Sequence, residues 1–333
     1  MKYAYRKTSL RKHYCSVGVD ALSRWDLIIV GGGVAGLTAG IYGSRSGLKT
    51  LILEENVPGG QAAYAPIIEN YPGFPEGISG MELISRIIKQ AERMGVEIHQ
   101  LEKVTSLRVE TAKKQVITDK AVYEAAAVII ASGSHHRKLG VPGEEEFRGR
   151  GVSYCAVCDG PFFKGRRVAV VGGGNSAAVS AVYLSNIASE VHLIHRRGEL
   201  RAEKALIMDL QRRNVNIVWN TNVKEIKGDT RVKKIVLFNN ETGETSELEI
   251  DGVFVQIGEV PNSKFAREAG VKVDEKGYII VDSRQRTNLK GVFAAGDVTA
   301  CPVKQIGTAV GQAIVAANEA FGYIKRPYYY YDV

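Results

Sequence analysis

Two cysteines separated by two residues stand at Ser153-Tyr154-Cys155-Ala156-Val157-Cys158-Asp159-Gly160. Such a pair can close a small disulfide ring whose redox potential is set by local electrostatics. The alternative is half of a zinc site, but zinc needs two more Cys or His ligands at suitable spacing. Cys15 and Cys301 lie far off in the chain, and no second CxxC or HxxxH accompanies the pair, so a redox pair is expected and no metal. Asp159 follows Cys158 directly. A carboxyl there suits the proton transfer that disulfide exchange requires, and it equally suits the first position of an Asp-Gly turn. The His135-His136 pair has no third ligand and reads as an ordinary loop.

Two glycine-rich turns carry a second chemistry. Gly31, Gly33 and Gly36 fit G-x-G-x-x-G: the first glycine for a tight turn, the second for close approach of a pyrophosphate, the third for helix–strand packing. Glu54 follows Gly36 at close to the expected interval of about 20 residues and would accept from a ribose hydroxyl. The second turn runs Gly172-Gly173-Gly174-Asn175-Ser176-Ala177, with Ala in the permitted last place. No acid closes its following strand; His195, Arg196 and Arg197 do, with Arg201 one turn on. Guanidiniums pair with a 2′-phosphate that a carboxylate would repel. The opposite charge logic predicts FAD at the first turn and NADPH at the second. Asp297, at the end of a late strand, is placed to bond the flavin's ribityl or pyrophosphate region.

The elements that position these residues are also legible. Trp25–Val30 and Arg167–Val171 are apolar runs of the kind found in parallel strands buried on both faces. Each leads through its turn into a small-residue helix, predicted to end near Ser46 and Ile187, and then into a strand, Lys49–Leu53 and Glu190–Ile194. The two units begin roughly 140 residues apart, an approximate internal duplication. A β-rich stretch follows (Lys233–Phe238, Glu247–Ile250, Gly252–Ile257). After it come a short strand in Gly291–Asp297 and a small-residue helix, Gly307–Phe321, that repeat the first pattern. The expected fold is α/β, with two Rossmann-like dinucleotide-binding domains. The FAD domain is split, 25–137 and 258–333, and the NADPH domain, 138–257, is inserted with the CxxC. Crossings fall near Arg137–Gly143 and Gly258–Pro261, and residues 1–24 form an N-terminal extension.

Composition agrees with this reading. The chain has 333 residues, 45% hydrophobic and 24% charged, with a formal net charge of +8. That is too long for one core and ordinary for a globular protein. No apolar run approaches the roughly 20 residues that cross a bilayer. The basic start (Lys2, Arg6, Lys7, Arg11, Lys12) lacks the apolar core of a secretory signal and the sustained amphipathic pattern of a transit peptide. Four cysteines, unevenly spaced, suit a reducing compartment. The positive charge is partly explained by the phosphate-binding arginines, and no nucleic-acid motif is present, so neither nucleic acid nor membrane is expected as a partner. Tyr328–Tyr331 reads as a packing tail.

Together these pieces resemble the low-molecular-weight thioredoxin reductases, over about Trp25–Tyr323. The matching segments are the first glycine turn, Gly59-Gly60-Gln61, Glu69-Asn70-Tyr71-Pro72-Gly73, Ala131-Ser132-Gly133, Cys155–Gly160, Gly172–Ala177, His195-Arg196-Arg197 with Arg201-Ala202-Glu203-Lys204, and Gly291–Asp297. The resemblance implies that NADPH reduces FAD, FAD reduces Cys155–Cys158, and the dithiol reduces thioredoxin or a similar small redox protein. The alternative partner belongs to a glutaredoxin-like or peroxiredoxin system. It implies Cys158 as the flavin-proximal thiol, Cys155 as the thiol that attacks the partner, and Asp159 as acid/base. It further places Val34, Ala35, Glu55, Gly59, Gly60, Gln61, Asn70, Val104, Ala131, Gly133, Lys304, Gln305 and Ile306 at FAD, with Lys304 where the family often has Arg. Ile257 and Gly258 are placed at NADPH. A cytoplasmic homodimer is implied, with a rotation between the domains. A ferredoxin–NADP reductase of similar fold would need no CxxC. A peroxiredoxin-reducing flavoprotein would usually carry a long N-terminal thiol domain. A non-catalytic dinucleotide-binding protein leaves the CxxC-Asp unexplained.

Overall fold

The computed structural model describes residues 24–65, 67–109 and 113–326. Cys15, the basic N-terminal segment and the tyrosine run lie outside them. The fold is α/β, built on two largely parallel sheets.

The first sheet runs Glu97–His99, Thr50–Leu53, Arg24–Val30, Val122–Ile130, Lys114–Thr118, Val104–Arg108. The long strand Val122–Ile130 serves two partners on one edge. Its first half pairs antiparallel with Lys114–Thr118, and its second half pairs parallel with the late strand Val292–Ala294. Residues from the two ends of the chain therefore share one sheet. Leu27, Ile28, Ile29 and Val128–Ile130 are fully buried, which is why the pattern is continuously apolar rather than alternating. Helices Val34–Arg45 and Ile306–Lys325 pack together on one face through Ala35, Ala39, Ala309, Ala313 and Ala317. Small residues permit that close approach. A Cβ on Gly43 would lie 2.9 Å from Leu27.

The second sheet is wholly parallel: Asn216–Val218, Glu190–Ile194, Arg167–Gly172, Gly252–Gln256, Val152–Ser153. Helices Asn175–Leu184 and Lys204–Arg212 cover one face, with Leu184, Leu193 and Leu210 at the core. An antiparallel sheet of Thr221–Gly228, Val232–Asn239 and Thr245–Glu249 covers the other through Val223, Ile226 and Ile235. Helix Asn175–Leu184 stops three residues short of the expected end. Ser185 and Asn186 bond their side chains back to the Val182 carbonyl, the competition that makes these residues poor helix continuers. The last helix runs four residues beyond Phe321, to Lys325.

The chain crosses between the two sheets twice, and the crossings pair with each other. Ser134–His136 lies antiparallel to Glu259–Pro261, and Arg137 N–H donates to the Gly258 carbonyl at 2.9 Å. Gly140, Gly143 and Gly258 flank this ribbon with φ of +73°, +85° and +110°, conformations open to glycine and strained for other residues.

Candidate functional site

Each glycine turn sits at the C-terminal end of a parallel strand, where open α/β sheets bind their ligands. In the first, Gly31 has φ +105°, and a Cβ there would lie 2.4 Å from the Ala131 carbonyl oxygen. A Cβ on Gly36 would meet the Gly31 oxygen at 1.8 Å, whereas one on Gly33 would meet nothing within 4 Å. The three glycines thus serve the tight turn, the packing and the open approach that their spacing predicts. Glu54 braces the turn: its Oε2 accepts from Gly32 N–H at 2.6 Å and its Oε1 from Asn56 N–H at 2.8 Å. Gly59 and Gly60, both at positive φ, run alongside, with Gly59 N–H donating to the Gly32 carbonyl.

Helix Val34–Arg45, which this turn opens, has no side-chain cap and no acid in its first turn. Neither has Asn175–Leu184 after the second turn. Helix Gly80–Arg93, by contrast, is capped by Ser79 Oγ and carries Glu82. Free N–H groups and an unopposed positive dipole fit a pyrophosphate at both turns.

The first turn opens into a cavity of about 1760 Å³. Gly31, Gly33, Val34, Ala35, Glu54, Glu55, Gly60, Gln61, Asn70, Val104, Ala131, Gly133, Asp297, Lys304, Gln305 and Ile306 all line it; Gly36 lies behind, in the helix packing. Asn70 donates to Gln305 at 3.1 Å, and Glu55 is paired with Lys103. Lys304 Nζ turns back onto its own loop, donating to the carbonyls of Asp297 (2.9 Å) and Thr299 (2.5 Å) and lying over the Tyr278 ring. Burial pushes the Lys304 ammonium down and the Asp297 carboxyl up, each opposed by the other's charge.

The cysteines reach the same cavity. Cys155 and Cys158 form a disulfide, half-buried, with Cα atoms 5.3 Å apart, and they line the cavity wall with Asp159. Edge strand Val152–Ser153 leads into the short turn of helix that holds them, so the pair is carried by the second sheet. Sequence reasoning passed over Ser153. Its hydroxyl donates to Asp159 Oδ2 at 2.6 Å and accepts from Cys155 N–H at 3.0 Å, tying the carboxyl to the redox pair. Burial raises the Asp159 pKa, and the Ser153 bond only partly opposes it. A carboxyl held protonated further up the pH scale is a proton donor placed beside a disulfide.

The second glycine turn does not open on this cavity. Gly172 has φ +156°, and a Cβ on Gly174 would meet nothing within 4 Å. Arg196, Arg197 and Arg201 are exposed, and among the described residues none has a carboxylate partner within 4.0 Å. Their loop is held by its backbone: Asn240 donates to the Arg196 carbonyl and Arg201 N–H to the Gly173 carbonyl. His195 is different. It is 5% exposed, with its ring against Gly173 and its Nε2 2.9 Å from the Glu199 carbonyl. Burial lowers its pKa, so it supports the turn as a neutral ring rather than offering charge. Asn175 exchanges two hydrogen bonds with Glu203. Ile257, half-buried, packs against the core beneath the antiparallel sheet, and Gly258 belongs to the crossing ribbon. No cluster suited to a metal ion occurs among the described residues, and His135 bonds Asn262. No helix among them is long and apolar enough to cross a membrane.

Comparison with known proteins agrees with this geometry. The pyridine nucleotide-disulphide oxidoreductase family profile matches residues 25–320. The chain is 44% identical to the thioredoxin reductase of Bacillus subtilis over 304 residues, 91% of this chain and 95% of the relative. The solved thioredoxin reductase of Streptococcus pyogenes superposes with a TM-score of 0.87 at 40% identity, covering 91% of this chain and 99% of that one. The Lactococcus lactis thioredoxin reductase in its FR conformation is 42% identical over 90% of this chain and 99% of its own, yet its TM-score is 0.62.

Proposed function

This chain belongs to the pyridine nucleotide-disulphide oxidoreductase family, and from that membership we propose that it is a thioredoxin-disulfide reductase. Electrons pass from NADPH through FAD and the Cys155–Cys158 pair to thioredoxin. The observation that carries the reading is the disulfide and the half-buried Asp159 opening onto the cavity of an uncapped dinucleotide-binding turn.

FAD and NADPH are its cofactors. The open face at Gly33 and the free N-terminus of helix Val34–Arg45 fit the FAD pyrophosphate, and Glu54, already oriented by Gly32 and Asn56, offers its remaining lone pairs to the ribose. When bound, FAD would supply the two-electron redox chemistry that links NADPH to the disulfide. Cys158 faces that electron source and Cys155 leaves as the thiol that attacks thioredoxin. Asp159 gives the departing Cys155 sulfur its proton, and Ser153 holds the carboxyl in place. We place the FAD domain at 25–137 and 258–333 and the NADPH domain at 138–257, and we read the enzyme as a cytoplasmic homodimer.

NADPH-dependent reduction of a panel of small dithiol proteins tests the function. Thioredoxin should be reduced; failure with thioredoxin and success with a glutaredoxin-like protein or a peroxiredoxin would reassign the partner.

Two further outcomes follow from the site. Changing Arg196 and Arg197 to Ala should raise KM for NADPH about tenfold per arginine and leave NADH kinetics nearly unchanged. A charge-assisted bond contributes about 1.5–3 kcal/mol and exposed ones the lower end. A wild-type enzyme that uses NADH as well as NADPH sinks the phosphate assignment. Asp159→Asn should slow disulfide reduction about a hundredfold, the lower range for general acid catalysis. The pH sign is set by the raised pKa: as pH climbs through it the wild-type donor is lost and the rate falls, whereas the Asn variant should show no such limb. An unchanged pH profile in the variant removes Asp159 from the proton path.

A further inference from the structure

Among the described residues, the cation Arg148 of the disulfide-bearing body touches the cavity wall. Arg148 stands in a loop fixed to the second sheet: Phe147 is buried in its core, and the Val152 N–H and carbonyl bond to Phe147 and Gly149. Its side chain reaches the other way. The guanidinium donates to Gln61 Oε1 at 3.1 Å and lies over the Tyr64 ring, 4.5 Å from its centroid. Gln61 and Tyr64 belong to the turn Gly60–Tyr64 on the first body's cavity wall. On its own side Arg148 lies 5.5 Å from the ring centroid of Tyr154, the residue preceding Cys155. Tyr154 in turn stacks on His136 of the crossing ribbon at 4.9 Å and 14°, and its hydroxyl donates to Glu144, which also accepts from the amides of Leu139 and Gly140 at the first crossing. One half-buried side chain thus joins the cavity wall to the arm of the disulfide, which is itself braced on the crossing.

We propose that Arg148 is an inter-domain latch, a positioning residue that holds the arrangement in which Cys155–Cys158 faces the cavity. This rests on the two-arrangement reading of a thioredoxin reductase, in which the nicotinamide and the disulfide take turns at one flavin. The contact has the character of a releasable one. It uses an amide oxygen and two ring faces, with no carboxylate to make it strong, and such contacts at partly exposed sites stabilise modestly. Arg148 touches neither the disulfide nor the glycines of the two turns; its partner Gln61 lies on the FAD wall, so flavin content is measured in each variant to separate lost FAD from a shifted balance between arrangements.

The test uses holoenzyme with Arg148→Ala and, from the other side of the contact, Tyr64→Ala; Tyr64 is 66% exposed, so its loss leaves the core intact. Small-angle X-ray scattering reads the arrangement, and stopped-flow absorbance reads the two half-reactions. Both variants should shift the scattering curve toward the form wild type adopts with excess NADPH analogue. Both should accelerate flavin bleaching by NADPH and slow its recovery with oxidised thioredoxin, each about threefold to tenfold, and the double variant should add nothing further. A merely structural defect would slow both half-reactions, and that result overturns the latch. So does a variant indistinguishable from wild type in scattering and in both rates, when wild type itself responds to the analogue. A wild-type curve that never responds overturns the two-arrangement reading instead.

Discussion

In a Cys158→Ser enzyme, NADPH should bleach the flavin at the wild-type rate while reduction of thioredoxin falls by about a thousandfold or more, the scale of loss when one member of a catalytic unit is removed. The disulfide needs two electrons, and both sulfurs line the cavity where they arrive. With a hydroxyl in place of that sulfur no S–S bond exists to receive them, so the path ends at the flavin. Cys155→Ser should fail equally with thioredoxin, for a different reason: Cys158 keeps its place on the cavity wall, but the thiol that forms the mixed disulfide with the partner is gone. The two variants should separate spectroscopically. Only Cys155→Ser retains a sulfur at the position assigned to the flavin, so a long-wavelength charge-transfer band belongs to that variant alone. A band in Cys158→Ser and none in Cys155→Ser would exchange the two roles. Near-normal thioredoxin reduction by either variant would remove the pair from the electron path.

What the sequence disclosed and what it withheld divide along a physical line. The glycine turns, the CxxC and the arginine cluster were legible because each is contiguous and each residue's type is fixed by local demands: Gly31 by its positive φ, Gly36 by contact with the Gly31 carbonyl, the small helix residues by close packing. The residues missed are those whose partners are distant. Arg148 meets Gln61 across 87 positions, and Gln256 donates to the Tyr154 carbonyl across 102. No period or spacing carries such a signal. Ser153 was near at hand, two positions before Cys155, but a serine beside a motif has no marked pattern. His195 shows how residue type misleads. Its neighbours on the arginine loop are exposed, yet the space left by Gly173 takes this ring inward, where burial lowers its pKa. The antiparallel strands Val104–Arg108, Lys114–Thr118 and Thr221–Gly228 were also unannounced: they are short, and buried positions such as Lys114, Thr118 and Thr221 carry polar residues, which hides the apolar alternation.

A covalent lock across the two bodies should divide the enzyme's activities. The disulfide faces the cavity here, while the second glycine turn does not open on it. Strand Val152–Ser153 pairs with Val253–Phe254, so the redox pair travels with the second sheet. With NADPH at the second turn, as proposed, bringing the nicotinamide to the flavin requires moving the disulfide away from it. The backbone offers one place for the change: the paired crossings Ser134–His136 and Glu259–Pro261, flanked by Gly140, Gly143 and Gly258, where angles can turn while both cores stay packed. The solved relatives fit this. The Streptococcus pyogenes and Lactococcus lactis enzymes are alike in identity to this chain but unlike in superposition, as expected if they share domains and differ in how those are set. Tyr64 and Arg148, in contact across the interface, are the positions to join, as Tyr64→Cys and Arg148→Cys bridged by a short bis-maleimide in a background with Cys15 and Cys301 changed to Ser. With the native disulfide oxidised, only the introduced thiols react. The bridged enzyme should lose flavin bleaching by NADPH, because the nicotinamide cannot enter. It should still pass electrons between photoreduced flavin and the native disulfide, read as new thiols, because the disulfide already sits at the cavity. The unbridged double variant should do both. A verified bridge that leaves full NADPH-to-thioredoxin turnover would mean that both half-reactions run in one arrangement, and the ribbon would then be a connector and not a hinge.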